Sequence, residues 1–228
     1  MVVRIGYEAS LSRRSHLVVD WPVIGHTFDD DLGPGDDQTS TRVGAPRIDY
    51  RYRLALRDGV TLSPGAAMTP GILSHLASPG LPGDYVSSFV SGGEVYTLPD
   101  PRDRASFAPR IATVSLPVGL SFDRKTGPFC AVEVAVDFGV DPDLEVELIA
   151  GLNGGYRSGG LEAGARASVA TLFEIDGREG GRQEAVGPFV GALVGPVWLR
   201  GTATYGHAGS GGGGVRALAG GLDAFLDI

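Results

Sequence analysis

Residues 50–68 read YRYRLALRDGVTLSPGAAM. Tyr50, Tyr52, Leu54 and Leu56 fall on one side and Arg51, Arg53 and Arg57 on the other, as in a β-strand, whose successive side chains point to opposite faces. Asp58 and Gly59 then supply the positive φ angles of a tight hairpin turn, and Val60, Leu62, Ala66 and Met68 return the apolar face. The hairpin leaves one question open. Its apolar face is either the inside of an oily-cored β-fold or the outside of a barrel set in lipid, and alternation alone reads the same in both.

The pattern recurs along the chain. Val3, Ile5, Tyr7, Ala9 and Leu11 alternate with Arg4, Gly6, Glu8 and Ser10, and a less regular strand, HLVVDWPVIGHTF, is interrupted by Pro22 before an acidic loop over 29–45. Residues 70–108 carry the weakest signal. Beyond them, Ala112, Val114, Leu116, Val118, Leu120 and Phe122 oppose Thr113, Ser115, Gly119, Ser121 and Asp123. Two further strands, centred on Val134 and Leu148, follow through the turns DRKTG and Asp-Pro-Asp. Leu161–Phe173 and Val197–Tyr205 continue the alternation, and the last strand runs to Ile228. These spacings predict an all-β fold of about 10–12 strands, which the face features and the resemblance given below turn into the expectation of a single antiparallel up-and-down β-barrel spanning residues 1–228.

Thirty-six glycines and fifteen prolines are spread through the strands, implying many turns and no low-complexity segment. The formal charge of −8, with no basic stripe, argues against a nucleic-acid partner. A single cysteine, Cys130, excludes an internal disulfide framework or a cysteine-rich zinc site. No uninterrupted apolar run is long enough for a helical membrane span. MVVRIGYEAS lacks the apolar h-region of a signal peptide. A count of eleven strands sits awkwardly with the even numbers usual in bacterial barrels, so either one strand is miscounted or an N-terminal strand or signal lies outside the chain.

Three features favour an oily skin. The polar faces mix charges with Gly, Ala and Ser, which suit a crowded lumen. The apolar faces are mostly Val, Leu and Ala, as where side chains meet lipid. The chain also ends inside a strand, with Leu222, Ala224, Leu226 and Ile228 alternating with Asp223, Phe225 and Asp227. On these residues the sequence resembles the bacterial outer-membrane β-barrel class, whose final strand commonly ends in an apolar or aromatic residue that serves as an assembly signal. The resemblance implies a transmembrane barrel in the outer membrane, with membrane lipid and small solutes as partners and no cofactor. A soluble β-sandwich or barrel binding a ligand is the alternative, and an outer-membrane hydrolase is the third.

With the polar face inward, Arg47, Arg51 and Arg53 form a basic wall and Glu133, Asp137, Glu145 and Glu147 an acidic one three strands later. Such walls either pair and close the lumen or set up a field across a pore. Asp29, Asp31, Asp36 and Asp37 form a weak calcium candidate without EF-hand spacing. His16, His26, His75 and His207 show no paired ligand spacing. No G-x-S-x-G elbow is present, so no catalytic residue is assigned. Trp21, Tyr50, Tyr52, Phe122, Phe138, Trp198 and Tyr205 are candidates for interfacial girdles.

Overall fold

The computed structural model describes residues 2–28, 38–70, 112–139, 145–173, 181–210 and 213–227. They form thirteen strand segments: β1 (Val2–Ser10), β2 (Ser15–Phe28), β3 (Gln38–Val43), β4 (Arg47–Tyr52), β5 (Leu54–Arg57), β6 (Val60–Thr69), β7 (Thr113–Phe122), β8 (Gly127–Gly139), β9 (Glu145–Ser158), β10 (Leu161–Leu172), β11 (Gly181–Val194), β12 (Val197–Ser210) and β13 (Gly213–Asp227). All belong to one sheet.

β3, β4 and β5 occupy a single position in the wall. β3 pairs with the far part of β2 at Val23↔Val43, β4 with its near part at Asp20↔Arg47, and both β4 and β5 pair with β6. The interruption has a local cause. Pro22 has no N–H to donate, and the neighbouring strand is broken opposite it at Gly44, Ala45 and Pro46. Gly44 N–H donates to the Pro22 carbonyl at 2.9 Å, and Trp21 Nε1 donates to the Gly44 carbonyl at 2.7 Å. A proline inside a strand is thereby matched to a gap in its partner.

Counted this way, the wall has eleven positions and closes on itself through β1 and β13. Every connection between successive positions reverses direction, so with an odd number the first and last strands run the same way. β1 and β13 accordingly pair in parallel, from Val2↔Gly221 to Glu8↔Asp227, while every other pairing is antiparallel. The strand number and antiparallel ladder agree with the sequence pattern. The parallel seam is the one departure from a purely antiparallel barrel, and the odd count requires it.

Following register partners once round, from Ala9 through Leu17, Tyr50, Ala66, Val136, Thr171 and Gly209 to Gly214, displaces the starting line along the wall. The shift is about 14 residues, which at ~3.3 Å per residue and ~4.8 Å between strands tilts the strands by about 40° and sets a backbone radius of roughly 11 Å. That is wider than an eight-stranded barrel and narrower than a porin.

The two ends differ. At one, residues 11–14, 58–59, 123–126, 159–160 and 195–196 make short turns, with Gly59 at φ 73° and Gly195 at φ 62° supplying the left-handed positions. The connections 29–37, 71–111, 140–144 and 174–180, together with the two-residue link 211–212, join the strands at the other end.

The register makes the seam testable. Ile5 and Ala224 are partners on the outer face, so in a Cys130→Ser background Ile5→Cys with Ala224→Cys is expected to form a disulfide under air. Ile5→Cys with Phe225→Cys, on opposite faces, is expected to stay reduced; gel migration with and without reductant reads the difference.

Candidate functional site

Exposure answers which face is inside. On β4, Arg47 and Asp49 are 7% and 8% exposed, while Ile48 and Tyr50 are 38% and 42%. On β7, Ser115 is buried between outward Val114 and Leu116, and on β8 Asp137 and Ala135 face in while Val132 and Val134 face out. The interior is therefore polar and the outer surface aliphatic.

Arg51 is the hub of the first interior cluster. Its Nε and one terminal nitrogen donate to the two oxygens of Asp49, both at 2.6 Å, and its other terminal nitrogen lies 2.8 Å from Glu133 on β8. The side chain crosses the inner surface of β6 and β7 to get there. Gly65 makes that crossing possible, since a Cβ on it would sit 2.7 Å from Arg51 Cδ. Arg47 donates to Ser115 Oγ at 3.1 Å, Ser115 in turn donates to Asp137, and the Arg47 guanidinium lies 3.8 Å from Asp49 and 3.9 Å from Asp137. Paired charges and bridging hydroxyls offset the cost of enclosing polar groups this deeply.

A second cluster sits near the short-turn end. Glu162, whose side chain is 2% exposed, accepts from Arg157 at 3.0 Å and from Arg200 at 2.6 Å. Arg157 also reaches Asp123 at 3.0 Å. The same guanidiniums stack on aromatic faces: Arg157 lies 4.9 Å from the Phe129 ring and 5.2 Å from Trp198, and Arg200 lies 4.5 Å from Phe189. Phe129 and Phe189 are 6.1 Å apart. Arginine and phenylalanine together fill this part of the interior.

Two smaller groups lie toward the seam. Arg4 and Asp223, partners across the parallel pair, approach to 3.9 Å with both side chains 8% exposed. Glu8 accepts from Arg53 at 2.6 Å and lies 3.3 Å from His16 Nδ1. Ser10 Oγ is 3.2 Å from that same Nδ1. A Ser-His-acid triad needs the hydroxyl and the carboxylate on different ring nitrogens, so Ser10, His16 and Glu8 are not arranged as one. Between the clusters lies a cavity of about 320 Å³.

Of the residues expected to form opposed walls, the structure brings Arg47, Arg51, Glu133 and Asp137 into one cluster. Arg53 turns away to Glu8. Glu147 faces inward and is buried, and the side chain of Glu145 is outside the described residues, as are Asp29, Asp31, Asp36 and Asp37. Among the described residues no group of three or more His, Cys, Asp or Glu could hold a metal. Trp198 faces Arg157 inside the barrel and is not a girdle residue. Asp49, Arg157, Glu162 and Arg200 were missed in the sequence, although each stands on the polar side of its alternation. Arg157 and Glu162 also flank the Gly159-Gly160 turn that makes them neighbours.

Removing a hub should cost more than removing a rim residue. Arg51→Ala takes the shared cation from buried Asp49 and half-buried Glu133 and is expected to destabilise the fold by about 3–5 kcal/mol. Arg53→Ala, at a side chain 45% exposed, is expected to cost about 0–1 kcal/mol. Urea unfolding midpoints of the two variants compare them directly.

No protein-family model, characterised protein or solved structure matches this chain.

Proposed function

We propose that the protein is an outer-membrane β-barrel whose narrow, charge-lined interior serves a structural role or passes small solutes. The observation that carries this reading is the outward aliphatic surface. Leu116, Val118 and Leu120 on β7, Val132 and Val134 on β8 and Val190 on β11 are each 42–65% exposed, and Leu218 is 80% exposed. Water penalises such a surface at roughly 25 cal/mol per Å², and a hydrocarbon solvent removes the penalty.

The dimensions agree with that solvent. On β11 the outward positions from Val186 to Val194 are all apolar. Eight steps of ~3.3 Å at a tilt of about 40° span roughly 20 Å, close to the ~25 Å apolar band of membrane barrels. The band stops at an outward ion pair, Arg182 with Glu184 at 2.7 Å, toward the long-connection end. Tyr7, Tyr52 and Tyr156 face outward toward the short-turn end, where amphipathic rings suit a membrane interface. Short turns at one end and mostly longer connections at the other fit the usual asymmetry of such barrels. Inside, the ion pairs and the Arg-Phe stacks favour a largely filled interior over a wide channel.

Purified protein is expected to require detergent, to be β-rich by far-UV circular dichroism, and to migrate differently in gels with and without boiling. A β-rich monomer stable in plain buffer, without a heat-dependent shift, would overturn the membrane assignment and leave a soluble barrel in its place.

A further inference from the structure

The outer face carries a recess of about 520 Å³ between β8 and β12. Register partners set its shape. Val132, Leu152, Ala167, Val186 and Tyr205 stand in one row across these strands, and the four larger side chains are 43–53% exposed while Ala167 between them ends at its Cβ. In the next row toward the long-connection end, Ala150 pairs with Val169, Val169 with Glu184 and Glu184 with His207. Ala150 and Ala167 therefore floor the recess, and the larger side chains of β8, β11 and β12 wall it.

Its two ends differ in chemistry. Within the apolar band it is lined by Val132, Leu152, Val186 and the Tyr205 ring, whereas at the edge of the band it reaches Arg182 and Glu184, an ion pair at 2.7 Å whose side chains are 65% and 50% exposed, with His207 beside Glu184. From Arg182 to Val186 is four residues, ~13 Å along the strand and about 10 Å along the barrel axis at a tilt of about 40°. One leaflet of a ~30 Å hydrocarbon core is about 15 Å deep. The recess thus starts at the charged level and runs through most of a leaflet, the course of one acyl chain.

The charges at its mouth match one class of headgroup. An exposed ion pair is held weakly and changes partners readily. A phosphoethanolamine group carries one phosphate charge and one ammonium, so it replaces the Arg182–Glu184 pair by two pairs: phosphate on the guanidinium fork, through parallel N–H donors, and ammonium on the carboxylate. A phosphoglycerol head has no cation for Glu184, and the quaternary ammonium of phosphocholine has no N–H to donate to it.

We infer that this recess holds one phospholipid with a phosphoethanolamine head, the head on Arg182 and Glu184 and an acyl chain over Ala150 and Ala167. The inference rests on the membrane reading and names a lipid for it. Protein stripped of lipid in detergent is mixed with equal amounts of dioleoyl phosphatidylethanolamine, phosphatidylglycerol and phosphatidylcholine, and the lipid retained is read by native mass spectrometry. One phosphatidylethanolamine per barrel is expected, preferred about fivefold over either competitor, the scale of one exposed ion pair. Glu184→Gln should bring phosphatidylethanolamine and phosphatidylglycerol to about equal retention. Ala167→Phe fills the floor from the outer face and should release the lipid. Val190→Phe, also outward but outside the recess, should change neither result. Equal retention of the three lipids by the unaltered protein, an unchanged preference in Glu184→Gln, or a loss in Val190→Phe matching that in Ala167→Phe would overturn the inference. A barrel that needs detergent yet shows no preference overturns this inference and leaves the membrane reading standing; a monomer stable in plain buffer that still retains phosphatidylethanolamine overturns the membrane reading alone.

Discussion

A charged side chain enclosed by a closed β-wall must find its counter-charge inside that wall. The interior of this barrel follows from that constraint. Arginines on β4, β9 and β12 are matched to carboxylates on β4, β8 and β10, in some cases across several strands. At a backbone radius of roughly 11 Å the opposite wall is near enough that long side chains from both sides meet toward the axis. Small residues are the other half of the arrangement. Gly65 leaves the space over which Arg51 reaches Glu133, and Gly164 leaves room for Phe189, which a Cβ there would strike at 2.7 Å.

Closure imposes a second constraint. Eleven positions require one parallel pair, and the pair formed by β1 and β13 has seven register partners where β12 and β13 have fourteen. Parallel ladders are slightly less stable per residue, so this seam is held by fewer and weaker backbone bonds. Interior contacts add to it. Arg4 and Asp223 face each other across the seam, and Gly6 sits against the Phe225 ring, leaving no space for a Cβ. The seam is thus joined by an ion pair and an aromatic contact as well as by its short ladder.

The outer surface is the complement of this interior. Because side chains alternate, each strand that sends a charge inward sends an aliphatic group outward, and the two faces cannot be changed independently by shifting register. Arg182 and Glu184 are exceptions on β11, and they lie where the apolar band ends. A polar filling and an apolar skin are therefore two results of one alternating pattern.

Alternation along β4, β7, β8 and β9 made the strands, their approximate number and the grouping of Arg47, Arg51, Glu133 and Asp137 on one class of face legible in the sequence, because a period of two is a local property of the chain. Pro22 could be seen to interrupt its strand, but not that a gap at Gly44–Pro46 would lie opposite it. The identity of partners was not legible either. Arg53 stands two residues from Arg51 with the same orientation, yet it pairs with Glu8, 45 residues earlier; Trp198 looked like an interfacial aromatic and instead lies beneath Arg157. The sequence by itself determined which residues share a face. Only the tertiary structure decided which face is enclosed, where the wall closes and which charges meet, because those depend on strand tilt and closure between residues far apart in the chain.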